Sequence, residues 1–278
     1  MAGCKKAVYQ VLDDSEYAEF FSTFMERCDE RCASEDGAML KLAKPVVDSF
    51  EQKPIDLLSV GAGTLCFEKS LIEMVGLKVN YLYAIEPNEK HLEELKSAIT
   101  ELTQNYYIDP VYFTTEFSTE KRFDMVLMSH CLYYMPDPVG VILKAKSLLK
   151  PNGKVVIFHE GEQGCYELNT YLSQHVELFG ECYNNHTISS KEISEALTNN
   201  EVCHEVRLEP SGVAVHDFIS RNTTPTSNHV VSFMLQTKYE SLAQNLQDGI
   251  YDMVKERSSI GKDGKYIFKN NNAMIIVE

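Results

Sequence analysis

One stretch limits what this chain can become: LLSVGAGTLCFEKSL, residues 57–71. An apolar run stops at Gly61, a second glycine follows at Gly63, and a helix-like pattern takes over. An apolar strand ending in closely spaced glycines before a helix is the opening unit of a parallel α/β sheet. The glycines let backbone approach a ligand closely. Either a nucleotide-like ligand rests on that turn, or the turn is only tight.

The pattern repeats downstream. IDLLSV (55–60) reads as a buried strand and 64–75 as a helix. VNYLYAIEP (79–87) reads as a second strand, with Asn88 capping a helix over 89–103. DPVYFTT (109–115) and FDMVLMS (123–129) read as the third and fourth strands. Pro136 and Pro138 open a helix through 149, and Pro151-Asn-Gly turns into a fifth strand, KVVIFHE (154–160). The alternation predicts an α/β fold: a doubly wound, mostly parallel sheet with helices on both faces.

Around this core, 15–50 reads as helical, with Tyr17, Phe20, Phe21 and Phe24 at helical spacing. After residue 160 the pattern predicts a helix over 165–179, one capped by Ser189 or Ser190, and a strand at 201–209. It predicts helix over 239–256 with a break near Gly249, and a closing hairpin of KYIF (265–268) and MIIV (274–277). The expected organisation is 1–54, N-terminal helices; 55–160, the ligand-binding core; 161–278, a further lobe and the closing strands.

Composition narrows the partners. With 26 basic and 41 acidic residues the net charge is −15, a field that disfavours nucleic acid and anionic membranes and suits a cationic small substrate. No apolar run is long enough to span a bilayer and no secretory signal is visible, which predicts a cytoplasmic protein. The eight cysteines (4, 28, 32, 66, 131, 165, 182 and 203) lack framework spacing and read as free thiols. Cys28 and Cys32 could share a helix face, but no second pair completes a zinc site, so no metal is expected.

Which ligand the turn holds follows from what accompanies it. Gly61-Ala-Gly63 lacks the third glycine of the dinucleotide signature, and no Gly-Lys-Ser/Thr marks a phosphate loop. Glu86 ends the second strand, where a carboxylate can accept both hydroxyls of a ribose. FDMVLMSHCLYYMPDP and then LLKPNGKVVI complete a succession that resembles class I S-adenosylmethionine-dependent methyltransferases, over about residues 55–160. S-adenosylmethionine carries a carboxylate and no phosphate, so the helix N-terminus after Gly63 would meet that carboxylate. Nucleic-acid methylation is disfavoured: after strand four stands Ser129-His130-Cys131-Leu132, not Asp/Asn-Pro-Pro-aromatic, and there is no basic patch.

The ends of the chain sharpen the resemblance. SEYAEFFSTFMERCDERC, IEPNEKHLEELK, LYYMPDP and YIFKNNNAMIIVE are similar to the corresponding segments of the histamine N-methyltransferase family. That resemblance implies a substrate site of Tyr17, Glu30, His130, Tyr133, Tyr134 and Asn270, with N-terminal helices and a C-terminal lobe contributing. Glu30 and Asn270 would hold the amine. Gly61, Gly63, Glu86, His91 and Ser129 would surround the cofactor. Three positions depart from the family: His130 replaces a glutamine, Asn169 stands near a tryptophan position, and Asn185 lies where the family is less polar. From the residues alone, Glu30 lies in a mixed-charge run that otherwise reads as a solvated helix face, and Tyr17 in a stripe that suits a core.

The expected activity is methyl transfer to a ring nitrogen of histamine or a related imidazole amine or amino acid, by in-line displacement, with S-adenosylhomocysteine as product. Positioning should supply most of the acceleration and no catalytic acid or base is assigned. The expected partner is a small cationic amine, and the expected state a monomer. The alternatives are another small amine or hydroxyl substrate, or a protein that binds the cofactor without catalysis.

Overall fold

A computed structural model describes residues 6–29, 37–179, 187–222, 224 and 226–278. Glu30, Asn185, Cys4, Cys32 and Cys182 therefore lie outside the described residues. The elements, in order, are β1 (Ala7–Gln10), α1 (Asp14–Arg27), α2 (Ala38–Asp48), β2 (Ile55–Val60), α3 (Cys66–Glu73), β3 (Val79–Ile85), α4 (Leu92–Leu102), β4 (Tyr106–Asp109), β5 (Phe123–Ser129) and α5 (Pro138–Ser147). They continue with β6 (Leu149–Glu160), α6 (Cys165–His175), β7 (Val176–Phe179), α7 (Ser190–Asn199), β8 (His204–Ala214), α8 (His216–Ile219), α9 (His229–Leu235), α10 (Gln244–Glu256), β9 (Ser258–Ile260) and β10 (Tyr266–Val277).

The main sheet runs β4-β3-β2-β5-β6-β10-β8, with β9 against the start of β10. Strands β4, β3, β2, β5 and β6 are parallel; β10 is antiparallel to both β6 and β8. Leu57, Leu82, Met125 and Val156 face one core layer with α2 and α3, while Leu58, Val126 and Val155 face the other with α5 and α7. Burial on both faces is why these strands read as unbroken apolar runs. A third apolar cluster joins α1, α6, α8, α9 and α10 beside the sheet. Among the described residues no helix is long and apolar enough to cross a membrane.

Local chemistry sets the helix starts. Asp13 caps α1 by accepting from the Ser15 and Glu16 amides, and Glu16 returns a bond to the Asp13 amide. Asn88 accepts from the Lys90 amide, as its capping position predicts. Ser189 forms a capping box with Glu192 at α7.

Several expectations are corrected. The third strand is Tyr106–Asp109, not 109–115: it is an edge strand whose tyrosines are exposed, so apolar burial does not mark it. β6 begins at Leu149, with the Pro-Asn-Gly segment absorbed as a register shift against β5. The helix at 165 ends at His175, and β7 then pairs in parallel with β1. Helix α10 runs through Gly249 without a break; the Tyr171 hydroxyl occupies the space a Cβ there would need, at 2.2 Å. The closing hairpin is replaced by one continuous strand, β10, whose Asn270–Ala273 stretch pairs with β8 and thus stays extended. The hairpin that does form joins β9 to the start of β10.

Candidate functional site

The crevice opens where β2 ends, because its neighbours β3 and β5 lead away on opposite sides. Gly61 has φ +66° and Gly63 φ +52°, a region that disfavours side chains. The two glycines do different jobs. A Cβ at Gly61 would come within 2.7 Å of the Cys131 Cβ, so this glycine lets the turn close against the β5 end. A Cβ at Gly63 would meet nothing within 4 Å: that face of the turn fronts open space. Beneath the turn, the Ser59 hydroxyl donates to the buried Glu68 carboxylate, joining β2 to the first turn of α3.

Glu86 is buried just past β3 and grips the turn. Its Oε2 accepts the Gly63 N–H at 2.7 Å and its Oε1 the Asn88 N–H at 2.8 Å. A carboxylate has about four acceptor positions, so two remain for hydroxyl donors. His91 stands with Nδ1 3.8 Å from Glu86 Oε1. On the other wall, Ser129 ends β5. The Ser129 Oγ and His91 Nδ1 atoms are both buried without a hydrogen-bond partner. A buried polar atom is costly to leave unpaired, so these two mark a place where a polar ligand belongs. The open face at Gly63, the held carboxylate and the two unpaired atoms fit an adenosine with an amino-acid tail.

Past Ser129 the chain bends sharply. His130 has φ +50°, an uncommon backbone for a non-glycine residue. Its N–H donates to the Phe158 carbonyl at 3.0 Å, and its Nδ1 lies 3.1 Å from the Tyr133 hydroxyl. The same hydroxyl accepts the Glu160 N–H at 3.2 Å, so Tyr133 ties the β5 turn to the end of β6. Tyr134 meets Tyr133 edge to face, with centroids 6.3 Å apart, and is 46% exposed.

His159 was not expected, although it interrupts the apolar β6 run. It is fully buried and stacks on the Tyr133 ring at 4.3 Å. Its Nε2 lies 2.7 Å from the Ile188 carbonyl, which can only accept, so the proton is on Nε2. Burial pushes its pKa far down to about 3, against the pull of that carbonyl, and His130 adds to the lowering. Burial likewise pushes the Cys131 thiol up to about 12.

Asn270, on β10, is buried and its Oδ1 accepts the Cys165 N–H at 3.2 Å. The neighbouring Asn271 accepts from the Gln163 amide through its side chain and from Gly161 through its carbonyl. These asparagines hold the loop between β6 and α6.

Other residues singled out in the sequence have their own packing partners. Tyr17 stacks with Phe21 at 6.1 Å and tilts against Phe233 at 5.4 Å, in the α1–α9 interface. Asn169 donates to the Cys165 and Met234 carbonyls, joining α6 to α9. The aspartate of the Phe-Asp strand, Asp124, sits at the far end of the sheet, where Lys150 bridges it at 2.8 Å and Asp56 at 2.7 Å. Cys66, Cys131 and Cys203 are free thiols.

A seven-position sheet with one antiparallel strand beside β6, and a glycine turn held over a strand-end carboxylate, define a class I S-adenosylmethionine-dependent methyltransferase. Residues 36–199, more than half of the chain, match the methyltransferase domain family, and the chain belongs to it. Along nearly its whole length it is similar to particular N-methyltransferases. It is 25% identical to histamine N-methyltransferase B of Xenopus laevis, over 96% of each chain. It is 25% identical to carnosine N-methyltransferase 2 of Gallus gallus, over 96% of this chain and 88% of that one. The plantazolicin methyltransferase BamL, solved with a desmethyl analogue and S-adenosylhomocysteine, shares the fold. Its TM-score is 0.52 at 15% identity, over 95% of this chain and 90% of that one.

Proposed function

We propose that this methyltransferase moves a methyl group onto a ring nitrogen of histamine or a related small imidazole amine or amino acid. The observation that carries this reading is the His130–Tyr133 pair. It stands beside Ser129 at the end of β5, next to the glycine turn, in a chain similar to histamine and carnosine N-methyltransferases. S-adenosylmethionine, when bound, supplies a methyl carbon made electrophilic by its sulfonium.

The remaining work falls to the chain. Glu86 accepts the ribose hydroxyls while its two amide bonds keep the turn in place. Gly61 and Gly63 bring the backbone against the methionine part, and Ser129 and His91 offer polar atoms to the rest. Tyr133, Tyr134 and His130 line the channel through which acceptor and methyl meet, and their faces favour a cation. Glu30 and Asn270 orient the substrate's tail, and Tyr17 closes the pocket from α1. Neutral imidazole is abundant near neutral pH, so alignment and exclusion of water suffice, without a general base. Residues 1–54 and 161–278 contribute the substrate side and 55–160 the cofactor side. The protein acts as a cytoplasmic monomer on a small amine.

The test is a screen with methyl-labelled S-adenosylmethionine against histamine, histidine, carnosine and non-imidazole amines and phenols, with the methylated atom located by NMR. Label on an imidazole nitrogen is expected. Label on a hydroxyl or an aliphatic amine, or none on any compound, contradicts the reading.

A further inference from the structure

His159 is a costly residue for a core. Val155, Val156, Ile157 and Phe158 before it on β6 are apolar and buried, and another aliphatic side chain would continue the pattern. Instead the position holds a fully buried imidazole. Its Nδ1 is an acceptor, because the proton is on Nε2, and it has no hydrogen-bond partner among the described residues. A buried acceptor left unpaired is destabilising, so packing alone does not call for a histidine here. What the imidazole supplies, and an aliphatic chain would not, is a flat face on Tyr133. The two rings stack with centroids 4.3 Å apart and planes 26° apart. The Nε2–H bond to the Ile188 carbonyl, at 2.7 Å, holds that face in place. The other contacts of Tyr133 do a different job. Its hydroxyl is shared by His130 Nδ1 and the Glu160 N–H. That oxygen lies on the axis about which the tyrosine ring turns, so bonds to it leave the plane of the ring free. A ring stacked on its face does not.

We infer that His159 is a positioning residue for methyl transfer: it sets the plane of the Tyr133 ring, and with it the aromatic surface that the acceptor meets. This rests on the reading above that Tyr133 lines the channel. His159 touches neither acceptor nor cofactor and acts only through Tyr133.

The experiment is a double-mutant cycle. It measures kcat/KM for histamine, histidine and carnosine with His159→Leu and His159→Phe, each in wild type and in Tyr133→Leu, with melting temperatures to show which variants fold. In wild type, His159→Leu should lower kcat/KM by about 10-fold, and His159→Phe, which keeps a flat ring on Tyr133, should stay within about 3-fold. In Tyr133→Leu, where no ring remains to be oriented, His159→Leu should cost less than about 2-fold more. Affinity for S-adenosylhomocysteine should stay within about 2-fold throughout. Should His159→Leu not fold, His159→Gln, which also removes the ring, makes the same comparison. A folded ringless variant at the wild-type rate, or one that loses the same factor in both backgrounds, overturns the inference and leaves the imidazole reading intact. A Tyr133→Leu enzyme at the wild-type rate takes Tyr133 out of the channel and the inference with it. Transfer to none of the three compounds removes the imidazole reading as well.

Discussion

The cofactor side and the substrate side of this molecule spread the same kind of bond differently. Around β2 and β3 one carboxylate, Glu86, holds two backbone amides, one on its own loop and one on the adjacent turn. Around β6 and β10 each backbone group is held by a different side chain: Glu160 by Tyr133, Ile188 by His159, and Cys165 by Asn270. One acid and two glycines suffice for the first arrangement. The second changes with a substitution at any of several positions. The first arrangement suits a cofactor that never changes, the second a substrate that differs between relatives.

The sharpest way to break this contrast is at the turn itself. Gly63→Val puts a β-branched side chain at φ +52° and into open space, and should reduce kcat/KM by about 100-fold or more. Gly61→Ala should act first on folding. The overlap with Cys131 and the φ of +66° cost about 2 kcal/mol, a fall of about 4–8 °C in melting temperature. Equal effects of the two variants on stability and on binding would remove the distinction between them.

On the substrate side, pH is the lever. The unfolded chain takes up a proton on residue 159 below its ordinary value of 6.5, whereas folded His159 stays neutral to about 3. Stability should therefore fall as pH drops through that window, by about 1.4 kcal/mol per pH unit from this group. Urea titrations at pH 7, 5.5 and 4.5 with wild type and His159→Gln isolate it. Parallel pH slopes in the two proteins would rule out the buried neutral imidazole. A smaller effect is expected from Tyr133→Phe. It removes the hydroxyl between His130 and Glu160 and should lower kcat by about 10-fold, leaving KM for the cofactor unchanged. Smallest of all, Lys44→Ala breaks only an exposed pair with Asp48 and should shift stability by less than about 0.5 kcal/mol.

The same contrast explains what could be read from the sequence. The α/β alternation, β2, β5, the Asn88 and Ser189 caps, and the glycine turn with its acid were legible because each signal is local: an apolar run, a cap or a turn residue. The substrate side was legible only through resemblance. Nothing near Asn270 announces that its partner is Cys165, 105 residues away. The Asn-Asn-Asn run looked like a hairpin turn, yet pairing with β8 keeps it extended. Tyr17 and Asn169 show the converse, since position in a motif did not reveal that their contacts are with Phe21, Phe233 and the Met234 carbonyl. The strand at 106–109 was missed because an edge strand exposes the side chains that periodicity relies on.

Under the proposed function, Glu86 and the turn bind the cofactor independently of the Tyr133 side. Calorimetric titration of S-adenosylhomocysteine into wild type, Glu86→Ala and Tyr133→Phe tests it directly. Glu86→Ala should lose about 100-fold in affinity, two charge-assisted bonds' worth, and Tyr133→Phe should change it within about 2-fold. Wild-type affinity in Glu86→Ala, or an equal loss in Tyr133→Phe, would contradict it.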